Sequence, residues 1–186
     1  GMTELMGGRE KVLADLESFF AHTPREFYWN PYYNHANEPV HHVPFLFNRL
    51  GAPWLTQYWT RVICADAYKN ELAGLCGNED VGQMSAWYIL AAAGFHPLCP
   101  GDTRYELTAP VFDRIEIKLD RKYANARKFV VTAEGNTPDA CYIQSATLNG
   151  KPYNRCYIDH SDIINGGELH FVLGNKPNKQ WGVESR

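Results

Sequence analysis

Apolar residues recur at helical spacing through the first half of the chain and alternate with polar ones through much of the second. Val12, Leu13, Leu16, Phe19 and Phe20 are spaced to share a face, with Arg9, Lys11, Asp15 and Glu17 between them. Side chains three and four positions apart lie on one side of an α-helix, so this run predicts an amphipathic helix that stops before Pro24. Pro24, Pro31 and Pro39, set among Tyr and Asn, mark residues 24–40 as an ordered loop. Pro44 to Leu50 predicts a short apolar helix closed by Gly51. Pro53 suits the first turn of the next helix, where its missing N–H costs nothing. Trp54, Leu55, Tyr58, Val62 and Ile63 give that helix one apolar face. Another helix is predicted from Gln83 to Ala93, ended by Gly94 and Pro97. Ala86, Trp87, Ile89, Leu90, Ala91 and Ala93 make it apolar most of the way round, so it requires neighbours on several sides.

After Pro100 the period shortens. Arg114 to Leu119 alternates strictly, Lys128 to Ala133 is rich in β-branched residues, and Tyr142 to Leu148 alternates again. Asn149-Gly150 is a strong hairpin turn signal ahead of Lys151-Pro152-Tyr153. Tyr157 to His160 and Glu168 to Leu173 complete the strands, with Asn165-Gly166-Gly167 as a loop. Strands follow helices rather than alternating with them, which predicts an α+β fold. Its helical half covers residues 1–98 and an antiparallel β region covers residues 99–186.

Composition narrows the function classes. At 186 residues and 45% hydrophobic content, the chain has apolar material for one core or two small ones. A net charge of −3 gives no electrostatic case for nucleic acid or an anionic membrane surface. No apolar run reaches the roughly 18 residues needed to cross a bilayer. Aromatic residues make up 13% of the chain, which suits sugar stacking and an aromatic core equally well. Cys64, Cys76, Cys99, Cys141 and Cys156 show no CxxC pair and read mostly as small buried hydrophobes.

Two polar strings carry the candidate chemistry. Gly77-Asn78-Glu79-Asp80-Val81-Gly82-Gln83 places two carboxylates and two amides in a glycine-bracketed turn ahead of the apolar helix. Such a turn leaves backbone N–H groups unpaired and lets a ligand approach closely. A capped helix start explains the same residues without function. The other string is His35-Ala36-Asn37-Glu38-Pro39-Val40-His41-His42. Here Asn37 and Glu38 either cap the following helix or supply oxygen ligands. The three histidines lack the Cys partners or HExxH spacing of a zinc site. Trp29, Tyr32, Tyr33 and Trp87 are aromatic candidates near these loops, although Trp87 lies in the apolar helix and reads as core. Two carboxylate loops among so many aromatics suggest a sugar site.

Both strings, in this order, resemble the C-terminal part of glycoside hydrolase family 92, the calcium-dependent, inverting exo-α-mannosidases. Glu4 to Gly8, Pro53 to Gln57, Gly94 to Gly101, Tyr142 to Gly150 and Trp181-Gly182 extend the resemblance over almost the whole chain. It implies that the helices form part of an (α/α)6 barrel and that the chain is a fragment of a much longer enzyme. It places the catalytic base at Asp80 and a water-orienting amide at Asn78. His35, Asn37 and Glu38 fall in the substrate-binding region, and Asn37, Glu38 and Asp80 are implied ligands of Ca2+. Glu38 suits a general acid by chemistry alone, but the resemblance puts the acid upstream of the Glu4 string. The isolated chain is therefore expected to be inactive, and to self-associate through exposed barrel helices. A mannose-containing glycan is the implied partner, and the periplasm or exterior the implied location. A non-catalytic remnant, or a carbohydrate-binding or interaction module, is the alternative.

Overall fold

The computed structural model describes residues 1–183, so residues 184–186 of the expected β region lie outside the described residues. The helical half comprises α1 (Met2–Leu5), α2 (Arg9–Ala21), α3 (Leu46–Arg49), α4 (Pro53–Asp66) and α5 (Gln83–Ala93), with short 3-10 turns at Glu38–Val40 and Val43–Phe45. Pro53 occupies the first turn of α4, and Gly94 ends α5 in the left-handed conformation that an L side chain resists. Trp87 of α5 is fully buried among Phe20, Tyr33, Phe45, Phe47 and Ile63, contributed by α2, the long loop, α3 and α4. This aromatic cluster draws the 24–45 loop onto α5 and so fixes where the two polar strings meet.

The β half holds two sheets. β1 (Phe95–Pro97), β2 (Arg104–Leu107) and β7 (Tyr157–Asp159) form a small antiparallel sheet in the order β1-β2-β7. β3 (Arg114–Lys118), β4 (Lys128–Glu134), β5 (Tyr142–Leu148), β6 (Lys151–Pro152) and β8 (Gly167–Gly174) form the larger sheet in the order β3-β4-β8-β5-β6. The Asn149-Gly150 turn joins β5 to β6 with both φ angles positive, as a two-residue hairpin requires. One pairing departs from the antiparallel expectation. β8 enters between β4 and β5 and runs parallel to β4, with Val131 opposite Leu169. The chain reaches β8 through α6 (His160–Ile164), a helix absent from the pattern reading, which gives His160 to a strand and leaves residues 161–164 unassigned. β1 also begins inside residues 1–98, so the helical stretch ends at Ala93.

The halves are tied by buried polar bonds as well as packing. Asn48 of α3 donates from Nδ2 to Glu106 and to the carbonyls of Leu107 and Cys156, each within 3.1 Å. Gln57 of α4 accepts the Ile143 backbone N–H of β5 at 2.9 Å. Each bond satisfies a group whose burial would otherwise be costly. A separate groove of about 580 Å³ lies among α1, α2 and α3, lined by Met6, Val12, Leu16, Phe19, Leu46 and Leu50 among others.

Candidate active site

The two polar strings converge. Ala36 is buried and its N–H reaches the carbonyl of Phe27, which holds the first turn against the core. Gly77 opens the second turn directly against it: a β-carbon at Gly77 would lie 2.8 Å from that of Ala36. Contact this close admits only glycine, so the two backbones touch where each turn begins.

Asp80, Val81 and Gly82 then take three successive positive φ angles, 52°, 57° and 91°. The left-handed region is unfavourable for any L residue and most of all for a β-branched one such as Val81. Strain of this kind persists where surrounding bonds over-determine it, and it clusters at functional sites. Here Glu79 supplies part of the clamp. Its carboxylate accepts the Ser85 N–H at 3.2 Å and the Ser85 hydroxyl at 3.0 Å, so Glu79 faces the start of α5 and away from the cleft.

This geometry brings Glu38 and Asp80 into hydrogen-bond contact through their carboxyl groups. Desolvation in the turn, then the hydrogen bond and charge of Glu38, raise the Asp80 carboxyl above its ordinary range, while nearby His41 pulls it down. Among the described residues neither carboxylate pairs with a Lys or Arg. Asn37 stands at the N-cap position of the 3-10 turn yet makes no capping hydrogen bond, so capping does not occupy its amide. Asn37 and Asn78 are both exposed beside the carboxylate pair. Glu38, His41, Gln83, Trp87 and His96 line an open cleft of about 430 Å³.

His35 corrects an expectation. The resemblance implies a substrate contact at His35, but the residue is wholly buried. Its Nδ1 lies 2.8 Å from the Tyr33 hydroxyl and its Nε2 lies 2.7 Å from that of Tyr68. The Tyr68 hydroxyl donates onward to the Met84 carbonyl at 3.0 Å, so it accepts from Nε2 and leaves Nδ1 to accept from Tyr33. The ring packs edge-on against Trp87 at 4.3 Å. Burial, with His41 and His96 nearby, holds the His35 pKa well below the usual value. His35 is thus a neutral core residue that supports the first turn from beneath. Tyr33 and Trp87 are buried with it, whereas Trp29 and Tyr32 remain exposed.

The carboxylate pair on its two abutting turns coincides with a recognised sequence profile. The model of the glycosyl hydrolase family 92 catalytic domain matches residues 1–175. The chain belongs to glycosyl hydrolase family 92. Solved family 92 structures share its backbone. An α-mannosidase from Bacteroides thetaiotaomicron, BT3965, superposes with a TM-score of 0.87 at 34% identity, over 95% of this chain and 23% of its own. The same enzyme has been solved in complex with mannoimidazole. The inverting mannosidase BT2199 of B. thetaiotaomicron superposes at 0.86 with 36% identity, over 98% of this chain and 26% of its own. An uncharacterized secreted glycosidase of Arthroderma benhamiae is 32% identical over 184 residues, 98% of this chain and 22% of its own length. The chain therefore spans about a quarter of the length of these relatives. Its family 92 match takes in both carboxylate turns. The sequence places Gln83 in the second polar string and at the start of α5 without assigning it a role, and its contact to His41 carries no local signal.

Proposed function

We propose that this chain carries the catalytic-base and cation-binding portion of a secreted, inverting exo-α-mannosidase that removes terminal α-linked mannose from glycans. The observation that carries the reading is the Glu38–Asp80 pair on two abutting turns beside an open cleft. The mannosidase relatives and the mannoimidazole complex support the sugar, and the secreted fungal relative supports the location. Among the described residues no helix is long and apolar enough to cross a membrane.

The donor set fits calcium. Two carboxylates in contact without a cationic side chain repel one another unless a proton or a metal ion lies between them. Calcium takes six to eight oxygen ligands. Glu38, Asp80 and the Asn37 amide would supply part of that shell, leaving room for water and sugar hydroxyls. Among the described residues no group of three or more His, Cys, Asp or Glu side chains is placed to hold a metal ion, so amide and carbonyl oxygens, water and sugar hydroxyls would have to complete the shell. When bound, the ion would anchor mannose hydroxyls and favour ionised Asp80. Asp80 then accepts a proton from the attacking water, and Asn78 orients that water.

Glu38 is ill placed as the acid partner. Inverting glycosidases hold acid and base roughly 6.5–9.5 Å apart to admit a water, and carboxyls in hydrogen-bond contact leave no such gap. Glu79 is engaged with Ser85. The acid in this reading comes from outside these 186 residues, and the residues alone bind sugar without efficient turnover.

The test measures mannose release from an α-linked disaccharide and an aryl α-mannoside, with calcium and with chelator, alongside calorimetry with mannoimidazole. The isolated chain should bind mannoimidazole only with calcium, lose that binding in Asp80→Ala, and turn over neither substrate appreciably. Failure to bind mannoimidazole would sink the reading. Robust calcium-dependent turnover would overturn the assignment of the acid, and Glu38 would be the first residue to mutate.

A further inference from the structure

Nothing in the contact between Glu38 and Asp80 holds their turns together, since paired carboxylates repel once both are ionised. Their approach therefore needs bonds elsewhere. The first turn ends at His41 and the second ends at Gln83, and these two side chains meet. Gln83 Nε2 lies 3.1 Å from His41 Nδ1. His41 Nε2 lies 2.9 Å from the carbonyl of His35, which can only accept, so the proton is on Nε2 and Nδ1 accepts from the Gln83 amide. The Trp87 indole N–H, one helical turn along α5 from Gln83, donates to the His41 carbonyl at 2.9 Å. The ring of His41 also stacks on that of His35 at 4.6 Å. His41 is thus fastened to its own turn by its Nε2 and to α5 by both its Nδ1 and its carbonyl.

Gln83 directly follows the strained run Asp80-Val81-Gly82. A side chain anchored across the cleft at that position stops the run from relaxing. Its backbone N–H also reaches the Asp80 carbonyl at 3.2 Å. Gln83 and His41 both line the cleft and His41 is buried, so the bond spans the two turns at the cleft wall.

We infer that Gln83 and His41 are a positioning pair that sets the separation of Glu38 and Asp80. Neither is assigned contact with the reacting atoms. The inference rests on the reading of Glu38 and Asp80 as the working pair. Supporting bonds around metal-ligating groups typically carry about 10–100-fold in metal affinity.

The experiment uses the whole chain, with calcium as the probe, in wild type, Gln83→Met, His41→Gln and the double variant. Met keeps the length of Gln and removes the donor. Gln at position 41 keeps a donor toward the His35 carbonyl and cannot reproduce the ring acceptor. Folding is followed by near-UV circular dichroism and calcium affinity by calorimetry. Gln83→Met should stay folded and lose about tenfold or more in affinity. The double variant should be little worse than either single one, because one bond is being removed twice. Wild-type affinity in folded Gln83→Met overturns the inference, as do additive losses. Should His41→Gln fail to fold, Gln83→Met alone decides. If wild type binds no calcium, the cation reading fails by itself. A crystal structure of Gln83→Met then judges positioning: carboxyls moved apart support it, and carboxyls still in contact overturn it.

Discussion

Asp80 is held in an unfavourable backbone conformation beside a second carboxylate, two penalties that a purely structural turn has no reason to bear. A cation between the carboxyls would relieve the repulsion, so binding should register as stability. Calcium at a hundredfold excess over its dissociation constant should add about 2.7 kcal/mol by mass action. Glu38→Gln and Asp80→Asn should abolish that gain, and thermal unfolding with calcium and with chelator checks it. Trp87 illustrates the opposite kind of residue. It fills the helical core and its indole N–H satisfies the His41 carbonyl. Trp87→Ala should cost about 3–5 kcal/mol through the cavity it leaves. Trp87→Phe keeps most of the bulk but orphans that carbonyl, for a smaller loss of about 1–3 kcal/mol. Urea denaturation of the two variants distinguishes packing from hydrogen bonding.

At the scale of elements, local signals served wherever the chain decides its own conformation. The 3.6-residue period marked α2 and α4, Gly94 marked the end of α5, and Asn149-Gly150 marked the β5–β6 hairpin. What could not be read was pairing between distant segments. The insertion of β8 beside β4 depends on Val131 and Leu169 sharing one core, and alternation along either strand is indifferent to the direction of its neighbour. The same limit applies to the site. Both polar strings were visible, but the burial of His35 follows from Tyr33, Tyr68 and Trp87 closing round it. Gly77 was legible as a turn residue, and the reason it must be glycine is a neighbour, Ala36, far away in sequence. Gly77→Ala should therefore cost about 1–3 kcal/mol, as overpacking does, and should weaken calcium binding by pushing the turns apart. Val81→Gly tests the strain itself. Glycine accepts a φ of 57° without penalty, so the variant should match or exceed wild-type stability by up to about 1 kcal/mol. A clear loss in denaturation would show that the valine side chain has a packing role here.

For the whole molecule, the buried titratable groups respond differently to acid. His35 and His96 are both buried and both held neutral. Burial pushes His96 down to about 4 despite its bond to the Pro97 carbonyl. The unfolded chain takes up a proton on such a histidine near pH 6.5, and the folded chain does so on His96 only near 4. Between those values the unfolded state binds more protons, so stability falls as pH falls. Across the full window His96 alone represents roughly 3 kcal/mol, and His35 adds in the same direction. Glu106 opposes them. Burial raises its carboxyl, although Arg49 and Asn48 pull it back, so the folded state takes up that proton at higher pH than the unfolded one and gains stability as pH falls. The depressed histidines, His41 among them, outweigh the raised carboxyls of Asp80 and of Glu106, whose shift is partly cancelled. The isolated chain, assayed without calcium, should be most stable above about pH 6.5 and lose stability steadily toward pH 4. Urea midpoints at pH 7 and pH 5 measure the slope, and His96→Asn should flatten it by removing one of these contributions. Equal stability at both values, or a slope that His96→Asn leaves untouched, would mean that acid is sensed elsewhere in the fold.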